Sequence, residues 1–208
     1  MASLKGFQSI FVLAVFATAA WMVRAGDPDI LTDFIVPINT NFTDGNLFTY
    51  TGMRGIFIDN PPPNFKATKA SMAEFPVLNG QSVSMAVLQF PSGAVNPPHT
   101  HPRSAELLFL VEGSLEVGFI DTTNKLYVQK LQVGDMFVFP KGLVHYQYNA
   151  DGKYPATAFS GFGSANAGTV SVPVTLFGTD ISDGILAKAF KTDVATVQKL
   201  KAGLAPKP

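Results

Sequence analysis

The chain has 208 residues, of which 47% are hydrophobic and 14% are charged, and its formal net charge is zero. This composition is too apolar and too weakly charged for a disordered chain. A neutral chain lacks the basic surface that nucleic-acid-binding proteins carry, so we expect no nucleic-acid partner. The sequence contains no cysteine, which excludes disulfides, thiolate zinc sites and thiol catalysis.

Residues 1–25 have the layout of a secretory signal peptide. Lys5 precedes an apolar run from Ile10 to Val23, and the segment ends in small residues at Ala25. The alternative is a membrane anchor, but the run is shorter than the roughly 20 residues of a membrane-spanning helix. We therefore expect cleavage after Ala25, a mature chain of residues 26–208, secretion to the extracellular space and no stable membrane insertion after cleavage.

Residues 26–81 are predicted to form an irregular arm that ends at the edge of the fold. They are rich in proline and asparagine, and Pro61-Pro62-Pro63 excludes regular structure locally. The arm also holds Asn41-Phe42-Thr43, an acceptor sequence for N-glycosylation. Since we expect secretion, we predict a glycan on Asn41; the alternative is an unmodified turn.

Residues 82–178 are predicted to form the core of an all-β sandwich or barrel, because short strands recur every 8–12 residues. The predicted strands are Ser82–Phe90, Glu106–Val111, Ser114–Ile120, Lys125–Leu131, Asp135–Phe139, Val144–Asn149 and Ala156–Phe162. Five aromatic residues are expected in its core: Phe109, Phe119, Phe137, Phe139 and Phe159.

Residues 179–208 change to a helical period. Four apolar residues fit one face of a first helix: Ile185, Leu186, Ala189 and Phe190. Thr192 is the expected N-cap of a second helix, whose apolar side carries Val194, Val197 and Leu200. The pattern leaves open whether these helices pack on their own barrel or on a neighbouring subunit.

The three histidines of the chain all lie between residues 99 and 145. His99 and His101 are two residues apart, so an extended segment places both rings on one face. Glu106 follows His101 at an odd spacing and therefore requires a bend at Pro102–Ala105, and His145 opens a distant strand. Three imidazoles and a carboxylate suit Mn, Fe, Ni, Cu or Zn. The alternative, three unrelated histidines, is disfavoured because two of so few form His-x-His before a glutamate.

Two segments around these residues resemble the two cupin motifs in the form that plant germins and germin-like proteins carry. They are Gly93-Ala-Val-Asn-Pro-Pro-His99-Thr-His101-Pro-Arg-Ser-Ala-Glu106 and Gly134-Asp-Met-Phe-Val-Phe-Pro140-Lys-Gly142-Leu-Val-His145-Tyr-Gln-Tyr-Asn149. The resemblance covers essentially all of the mature chain. It implies an all-β cupin jelly-roll β-barrel that holds one manganese ion per subunit through His99, His101, Glu106 and His145.

The resemblance also implies an assembly and a location. Germins form a trimer of dimers in the plant apoplast or cell wall, often glycosylated, and their carboxy-terminal helices contact neighbouring subunits. By this resemblance we expect a homo-oligomer, a hexamer, and the predicted tail helices are expected at a subunit interface.

The chain departs from the germin pattern at two places. Most germins carry an amino-terminal cysteine pair, and Ile35 stands at its first position here. A missing disulfide typically costs about 2–5 kcal/mol, so other contacts must hold the arm. Oxalate-oxidising germins are thought to hold substrate with two asparagines: one matches Asn96, but Ala86 stands at the other position. Alanine has no side-chain donor for a carboxylate oxygen, so oxalate recognition should be weakened by about ten- to a hundredfold.

Three functions follow from this resemblance. The first is a manganese superoxide dismutase-type activity that produces hydrogen peroxide, with Asn96 or a bound water as proton donor. The second is oxalate oxidase, which Asn96 supports and Ala86 opposes. The third is a non-enzymatic cell-wall structural, receptor or storage-type protein in which the metal only stabilises the barrel.

Overall fold

A computed structural model of the chain describes residues 26–40, 43–57 and 61–204. The predicted signal peptide and the predicted glycan acceptor Asn41 lie outside these residues. Within the described ranges, no helix has both the length and the apolar character needed to cross a membrane.

The described residues form two five-stranded antiparallel sheets, followed by short helices. The strands are β1 (Lys66–Ala70), β2 (Ser84–Phe90), β3 (Val95–Thr100), β4 (Glu106–Glu112), β5 (Leu115–Ile120), β6 (Leu126–Leu131), β7 (Met136–Phe139), β8 (His145–Tyr148), β9 (Ala156–Phe162) and β10 (Val170–Ser171). The α-helices are α1 (Val172–Phe177), α2 (Asp183–Ala189) and α3 (Val194–Leu204), and short 3-10 helices span Arg54–Phe57 and Pro76–Leu78.

The strand order of the first sheet is β1-β2-β9-β4-β7, and that of the second is β10-β3-β8-β5-β6. Successive strands from β3 to β5 alternate between the sheets, as in a jelly roll. The structure therefore confirms the predicted all-β cupin barrel. The sequence pattern does not mark β1, β3 or β10 as strands. Within β3, Pro97 and Pro98 fall at an irregularity in the pairing with β8, where the missing N–H groups remove ladder hydrogen bonds.

The core lies between the inner faces of the two sheets, and β4 shows how the alternating sequence produces it. Glu106, Leu108 and Leu110 point inward and are at most 2% exposed. Leu107 and Phe109 point to the opposite face because successive strand residues alternate. The prediction that Phe109 is a core residue is therefore wrong: it is 38% exposed. Among the other four predicted core phenylalanines, Phe139 is buried, Phe119 and Phe137 pack against the core, and Phe159 is half-buried beside Phe109 on the outer face.

An exposed apolar patch covers the outer side of the first sheet, and we call it the outer apolar face. Phe109 pairs with Met136 and Leu107 pairs with Val138 across β4 and β7. These four side chains are between 38% and 58% exposed. Apolar patches of this kind on a folded chain mark interaction surfaces.

The amino-terminal arm is held by a polar contact to the loop between β9 and β10. Both carboxylate oxygens of Asp27 accept hydrogen bonds of 2.6 Å, one from the Ser164 hydroxyl and one from the Ala165 backbone N–H. Ile35, at the position of the absent cysteine, lines a crevice beside Asp27 and Arg103. The Arg103 guanidinium also binds this loop by donating to the backbone and side-chain oxygens of Asn166. These contacts connect the arm to the barrel in a chain without disulfides.

The carboxy-terminal helices form a small second cluster. Leu186, Ala187 and Val197 are buried there, with Phe177 and Ile181 packed against them. The prediction of Thr192 as N-cap is wrong by one residue. Asp193 caps α3 instead, because its carboxylate accepts a hydrogen bond from the Thr196 backbone N–H in the first turn. Ile185 and Phe190, predicted on the apolar face, are 63% and 50% exposed.

Candidate metal centre

Elements from both sheets bring the three histidines and one glutamate together. His99 in β3 and His145 in β8 are directly opposite each other across the ladder. His101 follows the end of β3, and Glu106 opens β4 in the other sheet. The turn at residues 102–103 carries the chain from one sheet to the other, so the odd spacing between His101 and Glu106 does not separate their side chains. All four residues are at most 6% exposed.

The four side chains are close enough to share one ion. One ligand atom from each lies within 4.8 Å of the others. The Nε2 atoms of His101 and His145 are 3.0 and 3.1 Å from the same Glu106 oxygen, Oε2. The rings of His99 and His145 lie 4.2 Å apart between centroids. This geometry brings together all four residues that the sequence predicts as metal ligands.

Backbone carbonyls fix the orientation of each imidazole. Nδ1 of His99 donates to Pro97 O, and Nδ1 of His145 donates to Leu143 O, both at 2.8 Å. Nδ1 of His101 donates to Gly168 O. Gly168 has a positive φ of 71°, which favours glycine, and an added Cβ would meet the Arg103 guanidinium. Since a carbonyl oxygen only accepts, Nδ1 carries the ring hydrogen and Nε2 presents a lone pair to the site.

These orientations leave acceptors facing each other in the centre of the site. In neutral rings, the Nε2 lone pairs of His101 and His145 point at the Glu106 carboxylate, and such a contact is unfavourable unless a cation lies between the atoms. Ligating histidines characteristically donate their second ring N–H to a carbonyl or carboxylate, as all three do here. The buried group therefore suits a metal ion. Its imidazole and carboxylate donors are compatible with several divalent metals.

The electrostatics of the site favour the forms that bind metal. Burial, reinforced by the neighbouring His145, lowers the pKa of His99 to about 4, so this ring is neutral at physiological pH. For Glu106, burial alone would raise the pKa, but in the metal-free site the close contacts with the His101 and His145 rings outweigh burial and hold the pKa of the carboxyl well below its usual range. A neutral imidazole and an ionised carboxylate are the protonation states that coordinate a metal.

The second oxygen of Glu106 is held by residues that the sequence reasoning missed. Its Oε1 accepts hydrogen bonds from the Ser160 hydroxyl at 2.6 Å and the Gln147 amide at 3.3 Å. Asn96, the candidate catalytic residue, lies opposite Gln147 across β3 and β8 and donates to its amide oxygen at 2.7 Å. A usable signal existed: Gln147 is two residues beyond His145 in β8, so strand alternation places both side chains on the inner face.

A cavity of about 470 Å³ opens onto the site. His99, His101, Glu106 and Asn96 line it, together with Ala86 on β2. Met85 also lines the cavity and is 46% exposed, so it is not a core residue. On the side of the site formed by His145, the Phe139 ring stacks on the imidazole with 4.5 Å between the ring centroids. The site is thus closed by aromatic packing on one side and accessible from the other.

Comparisons with known proteins agree with this architecture. Residues 58–198 match the family model described as Cupin. Over 204 residues the chain is 62% identical to Germin-like protein 9-3 of Oryza sativa subsp. japonica, covering 95% of each chain. It is 51% identical over 205 residues to Germin-like protein 9-1 of the same organism, covering 95% of this chain and 79% of the relative.

A solved structure from a study of the mechanism of oxalate oxidase is similar with a TM-score of 0.77. It is 33% identical in sequence, and the match covers 86% of this chain and 98% of the solved chain. The barrel, the His-His-Glu-His group and these relatives agree, and the sequence has no cysteine for the usual pair. The chain therefore belongs to the cupin family and, within it, to the germin-like proteins.

Proposed function

We propose that this chain is a secreted manganese-binding protein with superoxide dismutase-type activity that produces hydrogen peroxide. The observation that carries the proposal is the convergence of three Nε2 lone pairs and the Glu106 carboxylate at a buried point that a cavity reaches. Manganese accepts this mixed nitrogen and oxygen donor set. When bound, manganese supplies one-electron redox chemistry, by which one superoxide is oxidised to dioxygen and the next is reduced to peroxide.

The protein's own residues orient the site and supply protons. The carbonyls of Pro97, Leu143 and the loop after β9 hold the three rings so that each Nε2 faces the centre. The reduction of superoxide to hydrogen peroxide consumes two protons, and the donors that line the cavity include the Asn96 amide. Because Asn96 is fixed by Gln147, it is suited to hold an ordered water that relays protons from solvent.

Oxalate oxidase is the alternative activity. The similar solved structure from a study of oxalate oxidase and the presence of Asn96 in the cavity favour it. Ala86 opposes it, because it lines the same cavity and offers no polar side-chain atom. An oxalate assay on manganese-loaded protein decides between the two activities, and gain of oxalate turnover in Ala86→Asn would identify the missing amide as the cause.

The third possibility is a structural, receptor or storage-type cell-wall protein whose metal only stabilises the barrel. His145→Ala separates it from an enzyme. In an enzyme the substitution abolishes turnover together with bound manganese, whereas in a purely structural protein it lowers metal content and melting temperature without loss of any measurable turnover. Lys130→Ala is the matched control, since this exposed residue of β6 lies away from the site. Manganese analysis, superoxide assay and oxalate assay should be made on one sample. Stoichiometric manganese without dismutation would overturn the proposed activity.

The location and assembly belong to the same proposal. Cleavage after Ala25, a glycan on Asn41 and residence in the apoplast or cell wall are expected from the sequence and from the germin-like family. The proposed domain limits are 26–81 for the arm and barrel edge, 82–178 for the barrel core and 179–208 for the helices.

The outer apolar face and the exposed Ile185 and Phe190 favour a homo-oligomer, with a hexamer built as a trimer of dimers. Peptide mapping of secreted protein and sedimentation analysis test these points.

A further inference from the structure

The cavity that reaches the metal centre has apolar walls and more space than a diatomic substrate occupies. Its volume of about 470 Å³ falls in the range of sites for organic ligands. Apolar side chains of β1, β2, β9 and the segment before β1 line it: Phe65, Ala67, Met85, Leu88 and Phe162. The small side chains of Ala67 and Ala86 keep this space open. The walls therefore suit a carbon skeleton rather than a fully hydrated ion.

A single lysine joins these walls. Lys69 lies directly opposite Ala86 in the β1–β2 ladder, and both residues line the cavity. Lys69 is exposed, whereas the metal-binding side chains are buried, so the lysine lies toward solvent and the metal centre lies toward the interior. Among the described residues that line this cavity, Lys69 is the one lysine or arginine. Its position across from Ala86 puts a cationic side chain beside the residue that lacks a polar group.

The acidic neighbour of Lys69 is held by another residue. Glu74 also lines the cavity, but its Oε2 accepts hydrogen bonds from the Ser71 hydroxyl at 2.6 Å and the Ser71 backbone N–H at 3.0 Å. No ion pair between Lys69 and Glu74 occurs in the described structure. Lys69 attracts the Glu74 carboxylate electrostatically without a direct ion pair, so an anion that enters the cavity can contact the ammonium in competition with Glu74.

We propose that Lys69 is a specificity-determining residue that makes this cavity selective for elongated organic dicarboxylates. One carboxylate binds at the metal centre, the aliphatic segment contacts the apolar walls, and the second carboxylate pairs with Lys69. Two positive centres separated by apolar surface recognise such a ligand by charge at both ends and by hydrophobic contact between them. The inference rests on the metal of the proposed function but not on dismutation.

The test compares two five-carbon acids that differ at one end. Glutarate has a second carboxylate, whereas pentanoate has a methyl group, so the ratio of their dissociation constants isolates the contribution of the second charge. Isothermal titration calorimetry of manganese-loaded wild-type protein should show tighter binding of glutarate. In Lys69→Met, the affinity for glutarate should fall by about five- to tenfold, as expected for a partly solvated ion pair, and that for pentanoate should change little.

Lys66→Met is the matched control, because Lys66 lies on the same strand and lines a different crevice beside Gly52 and Thr68. It should bind both acids as the wild type does. Metal-free protein should bind both acids more weakly. Equal loss of glutarate affinity in both lysine variants, or no loss in Lys69→Met, overturns the inference. A protein that binds glutarate through Lys69 but does not dismutate superoxide refutes the proposed activity alone; one that dismutates without Lys69-dependent binding refutes this inference alone.

Discussion

Asn96 and Gln147 face each other across β3 and β8, and the Asn96 amide donates a 2.7 Å hydrogen bond to the Gln147 side-chain oxygen. Gln147 in turn donates to Glu106, and it is completely buried. Asn96 is thus connected to a candidate metal ligand through one intervening amide. Replacement of either amide should change how the carboxylate is held.

Gln147→Leu is expected to weaken metal binding. Leucine fills a similar volume but leaves the Asn96 amide without its acceptor and removes one donor to Glu106. Loss of a partner that orients a metal ligand typically lowers metal affinity by about 10- to 100-fold. Competition with a chelator measures the change, with exposed Gln129→Leu on β6 as the control. Wild-type affinity in Gln147→Leu would show that Glu106 does not need this donor.

The stability of the metal-free protein should decrease as the pH falls from about 6.5 to about 4. The unfolded chain protonates His99 near its usual pKa of 6.5, whereas the folded chain keeps the ring neutral until the pH approaches 4. Between these values the unfolded state binds more protons, so the free energy of unfolding declines, by up to about 3 kcal/mol for this group. Urea titrations of chelator-treated wild type and His99→Gln measure the effect; equal pH slopes in both proteins would contradict it.

Asp27→Asn should loosen the arm. The substitution removes the negative charge and one of the two acceptor oxygens that bind Ser164 and Ala165. Since hydrogen bonds to a charged group contribute about 1.5–3 kcal/mol, we expect a loss of about 1–2 kcal/mol for this partly buried contact. Urea unfolding and the rate of limited proteolysis within residues 26–57 provide the measurements. Asp180→Asn, on an exposed residue, is the control, and an equal change in both variants would exclude a specific anchoring role.

Phe109→Lys should reduce the size of the assembly. A charge in the centre of the outer apolar face disfavours burial of that face against another subunit. Phe109 is already 38% exposed in the single chain, so the substitution should leave folding intact. Sedimentation velocity should show smaller species than for wild type and for Tyr154→Lys, which alters an exposed aromatic residue outside that face. An unchanged oligomer would exclude the face as an interface.

The sequence predicts the barrel and the pairing of His99 with His101 because both depend on local patterns, whereas the full set of four ligands follows from the resemblance to the cupin motifs. The alternating strands from Ser82 onward and the His-x-His segment require only the two-residue period of extended chain. β1 escapes such reasoning because Lys66–Ala70 has no alternation of apolar and polar residues. It forms an edge strand through pairing with β2, which is a property of the tertiary fold.

Which of the two faces of a strand points into the core also depends on the tertiary fold. Phe109 has the composition of a core residue, yet the inward position of Glu106 fixes the phase of β4 and turns Phe109 outward. Gln147 and Lys69 carry no motif of their own. Gln147 acquires its role because β8 lies near β4 and brings the amide to the Glu106 carboxylate. Lys69 acquires its role because β1 pairs with β2 and places the lysine opposite Ala86. A single sequence does not reveal these strand pairings.

The loop between β9 and β10 contacts two distant parts of the chain. Gly168 orients His101, and Ser164 and Ala165 bind Asp27. Docking of the arm and alignment of a metal ligand therefore depend on one short segment. Folding of the amino terminus and uptake of metal should be thermodynamically linked: an ion bound by His101 stabilises the loop conformation that receives the arm, and a docked arm prepares the loop for the ion.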